Sequence, residues 1–227
     1  MKAEPDTPAR PTGKRDARER LLKAALHAFS SLGFEAVGPR MLGEMAGVNH
    51  SLVAYHFGSM DGLWREAVAS LFVAYRERLD ARLGGLDGLD AATQLSVGIE
   101  DLVAFSRDNP ELHRIMTIEG RRGSPRLDWL IENQIGPLFA RATALIRQGQ
   151  ADGTVRPFDP ALLFYAMIGL AATPFSVSVE FERVTGGNPA QDGIVRELGR
   201  MIRFLVLTGR ETPVRSSGTL PRRQGKA

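Results

Sequence analysis

The chain has no cysteine, and its 227 residues include only two tryptophans, three tyrosines and four histidines. Without thiols there are no disulfides, thiolate nucleophiles or Cys-ligated zinc, and a reducing cytoplasm is the simplest expected location. No apolar run reaches the ~18 residues of a membrane-spanning helix. The N-terminus is rich in Pro, Asp and Arg and lacks the apolar core of a signal peptide. The nucleophile elbow G-x-S-x-G, the Walker loop, G-x-G-x-x-G and H-E-x-x-H are all missing. His27, His50, His56 and His113 are scattered, and no paired carboxylates stand in an apolar setting. The expectation is a chain that is not an enzyme and carries no cofactor or metal.

What is present is an uneven charge. The net +3 divides into +2 over residues 1–58, −3 over 59–208 and +4 over 209–227. Basic groups that neutralise phosphates set much of the affinity for a nucleic-acid duplex, so basic ends on a mildly acidic middle fit DNA contact at one end. For the C-terminal tail, solubility of a flexible end is an equally good account.

Residues 41–64, MLGEMAGVNHSLVAYHFGSMDGLW, read as two short helices joined by a tight turn. Leu42, Met45 and Ala46 have helical spacing. Gly47 stands where the chain must enter a left-handed conformation, and Val48 is placed to pack back on the first helix. Asn49 is then an N-cap for the second helix. This is the layout of a helix-turn-helix, whose second helix enters the major groove.

The rest of the chain is punctuated in the same way. Residues 1–13 hold three prolines and no apolar period, which predicts a disordered arm; 209–227 predicts a disordered basic tail. A helix is expected from about Asp16 to Leu32, with Leu22, Ala25, Phe29 and Leu32 along its stripe. Pro39 fits the first position of the next helix. Ser59 should cap a long helix to about Leu83, with Trp64, Val68, Leu71, Tyr75 and Leu79 inward. After the linker at 84–90, helices are expected at about 91–107, 111–120, 124–149, 160–184 and 189–208, with kinks or breaks at Pro137 and Pro174. The fold class is all-α: a helix-turn-helix domain over 14–58 and a larger helical domain over 59–208.

With the helix before it, the motif resembles the TetR family of transcriptional regulators. The resemblance rests on RERLLKAALHAFSSLGFEAV, then AGVNHSLVAYHF, then GSMDGLW, and covers roughly residues 15–68. It implies a cytoplasmic regulator that binds a palindromic operator as a homodimer, most simply a repressor released by a small molecule. The DNA-binding candidates are Arg40, Asn49, His50, Ser51, Leu52, Ala54, Tyr55 and His56, with Val53 and Phe57 in the core. Asn49, His50 and Ser51 can hydrogen-bond base or phosphate, Leu52 can pack on a thymine methyl, and Arg40, Tyr55 and His56 suit phosphates. The segment with Arg10, Lys14, Arg15, Arg18 and Arg20 could reach a minor groove or flanking phosphates. Departures from the family pattern are Val37 and Gly38 in place of Thr or Ser, Ala54 in place of Tyr, and Met60 in place of Lys. Each removes a typical phosphate contact and weakens the salt-dependent part of binding.

The two-fold symmetry of such readers calls for a dimer surface. Phe164, Met167 and Ile168 on one helix and Leu198, Met201, Ile202 and Leu205 on the other are its candidates, or else they close the monomer's own core. For a largely apolar effector the candidate lining is Phe72, Tyr75, Phe105, His113, Met116, Trp129, Phe164 and Met167, with Glu119 a further polar residue nearby. The expected mechanism is a population shift in which ligand moves the helices around 111–149 against the fourth helix. Two reading heads held one DNA turn apart, ~34 Å, then leave register. The alternative reading is a helical small-molecule-binding or interaction module with weak or lost DNA binding.

Overall fold

The computed structural model describes residues 14–84 and 88–209, so the expected arm at 1–13 and the tail beyond Gly209 lie outside the described residues. The chain divides into two compact units, Met1–Val68 and Ala69–Ala227. This division falls inside the fourth helix rather than at 58/59.

In the first unit, α1 (Lys14–Leu32) is followed by a short 3-10 turn, α2 (Pro39–Ala46), α3 (Ser51–Phe57) and the start of α4 (Met60–Leu83). The buried stripe of α1 is Ala17, Leu21, Ala25, Ala28 and Phe29, while Leu22 is half-buried and Leu32 is 53% exposed. Ala25 and Phe29 therefore face inward as expected, while Leu22 and Leu32 do not. Both stripes have helical spacing, but the alanine-rich one lets α2 and α3, which pack on α1, come close. Within α2, Leu42 and Ala46 are buried and Met45 is exposed. Pro39 occupies the first turn of α2, and Gly47 ends the helix in the left-handed region at φ 62°, ψ 39°. Ser59 Oγ accepts the Gly62 N–H at 2.9 Å, which caps α4.

The second unit adds α5 (Ala91–Asp108), α6 (Pro110–Gly120), α7 (Pro125–Leu130), a π-helical turn (Ile131–Ile135), α8 (Gly136–Ala151), α9 (Pro160–Ser176), α10 (Ser178–Thr185) and α11 (Asp192–Val206). Asp90, Ser124 and Asp159 cap α5, α7 and α9 through their side-chain oxygens. Leu95, Ile99 and Val103 of α5 form the core with Leu163, Met167 and Ala171 of α9 and Leu198, Ile202 and Val206 of α11. Phe164, Met167, Leu198 and Ile202 thus belong to the monomer's own interior. Of the residues expected on a dimer face, Met201 and Leu205 remain exposed, joined by Leu162, Tyr165 and Phe204.

The two internal prolines act differently. Ahead of Pro137 the chain stays helical and widens into the π-helical turn, a common way to absorb a missing N–H. Past Pro174, α9 ends at Ser176 and α10 leaves at 74°. Arg114 of α6 stabilises that end, its Nε donating to the Ser176 carbonyl at 2.9 Å. Among the described residues, no single helix is long and apolar enough to cross a membrane, and the only β pairing is an isolated bridge between Val155 and Leu207.

Candidate functional site

The turn between α2 and α3 is built on a close approach. The Val48 N–H donates to the Gly43 carbonyl at 2.9 Å, and a Cβ on Gly43 would lie 2.9 Å from the Val48 oxygen. Gly43 is therefore as much part of the turn as Gly47, although in sequence it reads only as an ordinary helical glycine. Arg20 of α1 donates from Nη1 to the Ala46 carbonyl at 3.0 Å, placing a cation at the negative end of α2. Asn49 Oδ1 accepts the Ser51 N–H at 2.9 Å, one residue ahead of His50, which occupies the N-cap of α3 without a side-chain cap bond of its own.

The first turns of α3 present Asn49, His50, Ser51, Ala54 and Tyr55 at the surface, with Leu52 half-buried; Tyr55 is 63% exposed. Arg40 is exposed on α2 and borders a surface groove with Asn49 and His50. Val53 faces inward, and Phe57 is half-buried with the Arg18 guanidinium 5.5 Å from its ring centre. His56 departs from expectation: its Nε2 is buried without a hydrogen-bond partner, which leaves only the other ring nitrogen to reach a phosphate.

The basic segment before α2 is also partly committed to the fold. Arg18 pairs with Glu66 at the start of α4, Arg20 with Asp16 and the end of α2, and Arg15 with Glu19. Arg10 and the Lys14 side chain lie outside the described residues. Val37 is buried, so a hydroxyl there would not face a phosphate. Gly38 is the extended N-cap of α2, with no side-chain cap and open space where a Cβ would stand.

Within the second unit, α4 to α9 enclose a cavity of about 470 Å³. Phe72, Tyr75, Phe105, His113, Met116 and Phe164 line it as expected. Met167 instead lines a smaller chamber of about 110 Å³. Trp129 lines neither: it follows Leu127, which does face the cavity, by two residues and so points to the opposite side of α7. Glu119 is also turned away from the cavity, buried against Ser124, whose hydroxyl donates to it at 2.7 Å, and Arg126. The lining that went unread includes Leu102, Ser106, Asn109 and Leu112. Its signal was the three- and four-residue spacing continued from α5 into α6.

No Asp, Glu, Lys or Arg lines the larger cavity among the described residues. Burial lowers the pKa of His113, which keeps its imidazole uncharged at neutral pH. Tyr75 is pushed up to about 12, first by burial and then by the nearby Asp101 carboxylate. Asp101 is itself fully buried; its Oδ1 accepts from Arg82 at 2.8 Å and Arg78 at 3.1 Å. No cluster of three or more metal-ligating side chains occurs among the described residues.

Residues 21–67 match the family of bacterial regulatory proteins named tetR, and residues 85–212 match the C-terminal region of YcdC-like protein. The chain is 24% identical over 207 residues to the HTH-type transcriptional regulator RutR of Escherichia coli K12, covering 87% of this chain and 94% of the relative. Its fold is similar to that of KstR2, a ketosteroid transcriptional regulator of Mycobacterium tuberculosis, with TM-score 0.67, 18% identity and coverage of 85% and 95%. It is also similar to a transcriptional regulator of Saccharomonospora viridis in complex with choline, with TM-score 0.60, 20% identity and coverage of 85% and 98%. An N-terminal helix-turn-helix unit followed by a larger helical domain matches them along the chain, and the chain belongs to the TetR family of bacterial regulatory proteins.

Proposed function

We propose that the protein is a cytoplasmic repressor rather than a catalyst, that it binds a palindromic operator as a homodimer, and that a small molecule in the 470 Å³ cavity releases it. One observation carries this reading. The helix α4 begins one turn after the reading helix α3 and contributes Phe72 and Tyr75 to the cavity wall. A ligand that favours one position of Tyr75 thereby acts on the same helix that starts at the reading head. Only such a differential preference can shift the equilibrium.

Asn49, His50, Ser51, Leu52, Ala54 and Tyr55 are the residues we assign to the groove, with Arg40 and the remaining nitrogen of His56 on flanking phosphates. Met201, Phe204 and Leu205 of α11, with Leu162 and Tyr165 of α9, supply exposed apolar surface for a two-fold interface. The test is gel retardation of a duplex selected by the protein, with sedimentation of the complex. Two protomers per duplex, and loss of retardation on adding a cavity ligand, support the proposal. A complex holding one protomer contradicts the dimer.

A second reading has its own support. Ala54 and Met60 offer no phosphate-binding group, and Arg18 and Arg20 are engaged within the fold. A helical ligand-binding module that no longer reads DNA would retard no duplex even at ~50 mM salt.

A further inference from the structure

The two chambers of the second unit are neighbours. Tyr75, Leu102, Leu138, Phe164 and Ile168 line both, so a single layer of side chains separates them. The larger chamber is lined by exposed residues, Gly120, Ile131 and Tyr165, as well as by buried Tyr75 and Phe105. The smaller continues from the shared wall past Gly98 and Ile99 toward Gln94 and Arg141. Among the described residues Arg141 is the one charged side chain lining it, and its Nη1 is bound to Asp80 at 2.8 Å.

The polar side chains that line the larger chamber are Tyr75, Ser106, Asn109, His113, Thr117 and Tyr165, and two of them are spent on the backbone. The Thr117 hydroxyl donates to the His113 carbonyl at 2.9 Å, and Asn109 Nδ2 donates to the Phe105 carbonyl at 3.1 Å. Of the others, the His113 imidazole can offer both a donor and an acceptor, kept uncharged by its burial. An ionised ligand here would lose its hydration without gaining a counter-charge, which is strongly unfavourable.

We infer that the occupant is an uncharged, elongated and mainly apolar molecule. Its single polar group meets His113, and its apolar tail passes the Tyr75–Phe164 wall into the smaller chamber. This rests on the reading of the cavity as the effector site, and it adds the chemical class and the length of the effector.

The test is calorimetric titration of the full chain with hexanol, octanol, decanol and dodecanol, and with the carboxylate and trimethylammonium compounds of matching chain length. Affinity for the alcohols is expected to rise roughly three- to fourfold per added methylene. Both charged series are expected to bind at least about tenfold more weakly. Gly98→Leu plugs the smaller chamber from an interior position of α5, where a Cβ meets nothing within 4 Å and replacing glycine favours the helix. That variant should bind hexanol as the parent does and lose the gain from the longest chains.

Charged chains binding as tightly as the alcohols, no alcohol binding at all, or an unchanged length dependence in Gly98→Leu would each overturn the inference. Operator retardation read in parallel separates the two claims. Dodecanol that binds without releasing DNA contradicts the effector reading and leaves the ligand class standing. Release by a charged chain does the reverse.

Discussion

A Cβ on Gly62 would lie 2.2 Å from the carbonyl oxygen of Phe57, closer than any permissible contact. The C-terminus of the reading helix and the first turn of α4 meet there backbone to backbone, and only the absent side chain allows it. Gly62→Ala must push α3 and α4 apart at their junction. The expected cost is about 1–3 kcal/mol in thermal or denaturant unfolding, with weakened retardation of every duplex. Gly43→Ala, 2.9 Å from the Val48 oxygen, should behave similarly. Gly38→Ala, with open space around it, should leave stability nearly unchanged and serves as the control. Equal melting temperatures for all three variants would show that the junction yields.

Tyr55 and His50 separate positioning from reading. If the exposed Tyr55 hydroxyl touches phosphate, Tyr55→Phe weakens binding to all sequences alike. His50→Ala should instead relax the preference at one base position by ~1–3 kcal/mol, measured by competition with single-base operator variants. A uniform loss from His50→Ala would move that side chain to the backbone.

Met60→Lys should restore a phosphate contact at the start of α4. Tighter binding is expected, with the slope of log K against log salt steeper by ~0.9. An unchanged slope means that this position does not face the duplex.

The depressed pKa of His113 makes stability depend on pH in a definite sense. In the unfolded chain the imidazole takes up a proton below its ordinary pKa of 6.5, while burial delays this in the fold. Stability contributed by the neutral ring is therefore intact above that pKa and declines as pH falls below it, toward the lowered folded value. His113→Gln should lose less stability than the parent between neutral and mildly acidic pH, as read by urea titration. Parallel losses would assign the acid sensitivity to other groups.

Asp101 holds Arg78 and Arg82 of α4 against α5, and its second oxygen, Oδ2, is buried without a partner. Asp101→Asn removes the charge that both guanidinium groups share. Because Arg78 and Arg82 are 37% and 42% exposed, they can rehydrate, which limits the expected loss to roughly 1–3 kcal/mol of unfolding free energy. A stabilised variant would show instead that burying the carboxylate costs more than its two partners return.

The punctuation of the fold was legible because it is local chemistry. Gly47, Ser59, Ser124 and Asp159 end or start helices through their own backbone or side-chain oxygens, whatever packs nearby. Choices made by tertiary packing were not legible. Two stripes compete on α1, and the alanine-rich one wins because other helices need to approach it. Pro137 widens its helix while Pro174 lies near a break, a difference the residue type does not encode. Six of the eight expected lining residues surround the larger cavity, because aromatic and Met side chains on inward faces end up near any internal space. Trp129 failed for the converse reason: size was weighed above its angular position on α7. The ion pair of Arg18 was not legible because its partner, Glu66, is distant in sequence, and nor was the bond from Arg20 to the Ala46 carbonyl, although Asp16 lies only one turn from Arg20.

Selection of bound sequences from random duplex DNA by the full-length protein, in ~50 mM salt, tests the central claim most directly. Enrichment of a two-fold symmetric motif is expected, with half-sites one helical turn apart, ~34 Å, and with the strongest preference lost in His50→Ala. A folded, helical protein that enriches no motif would contradict it.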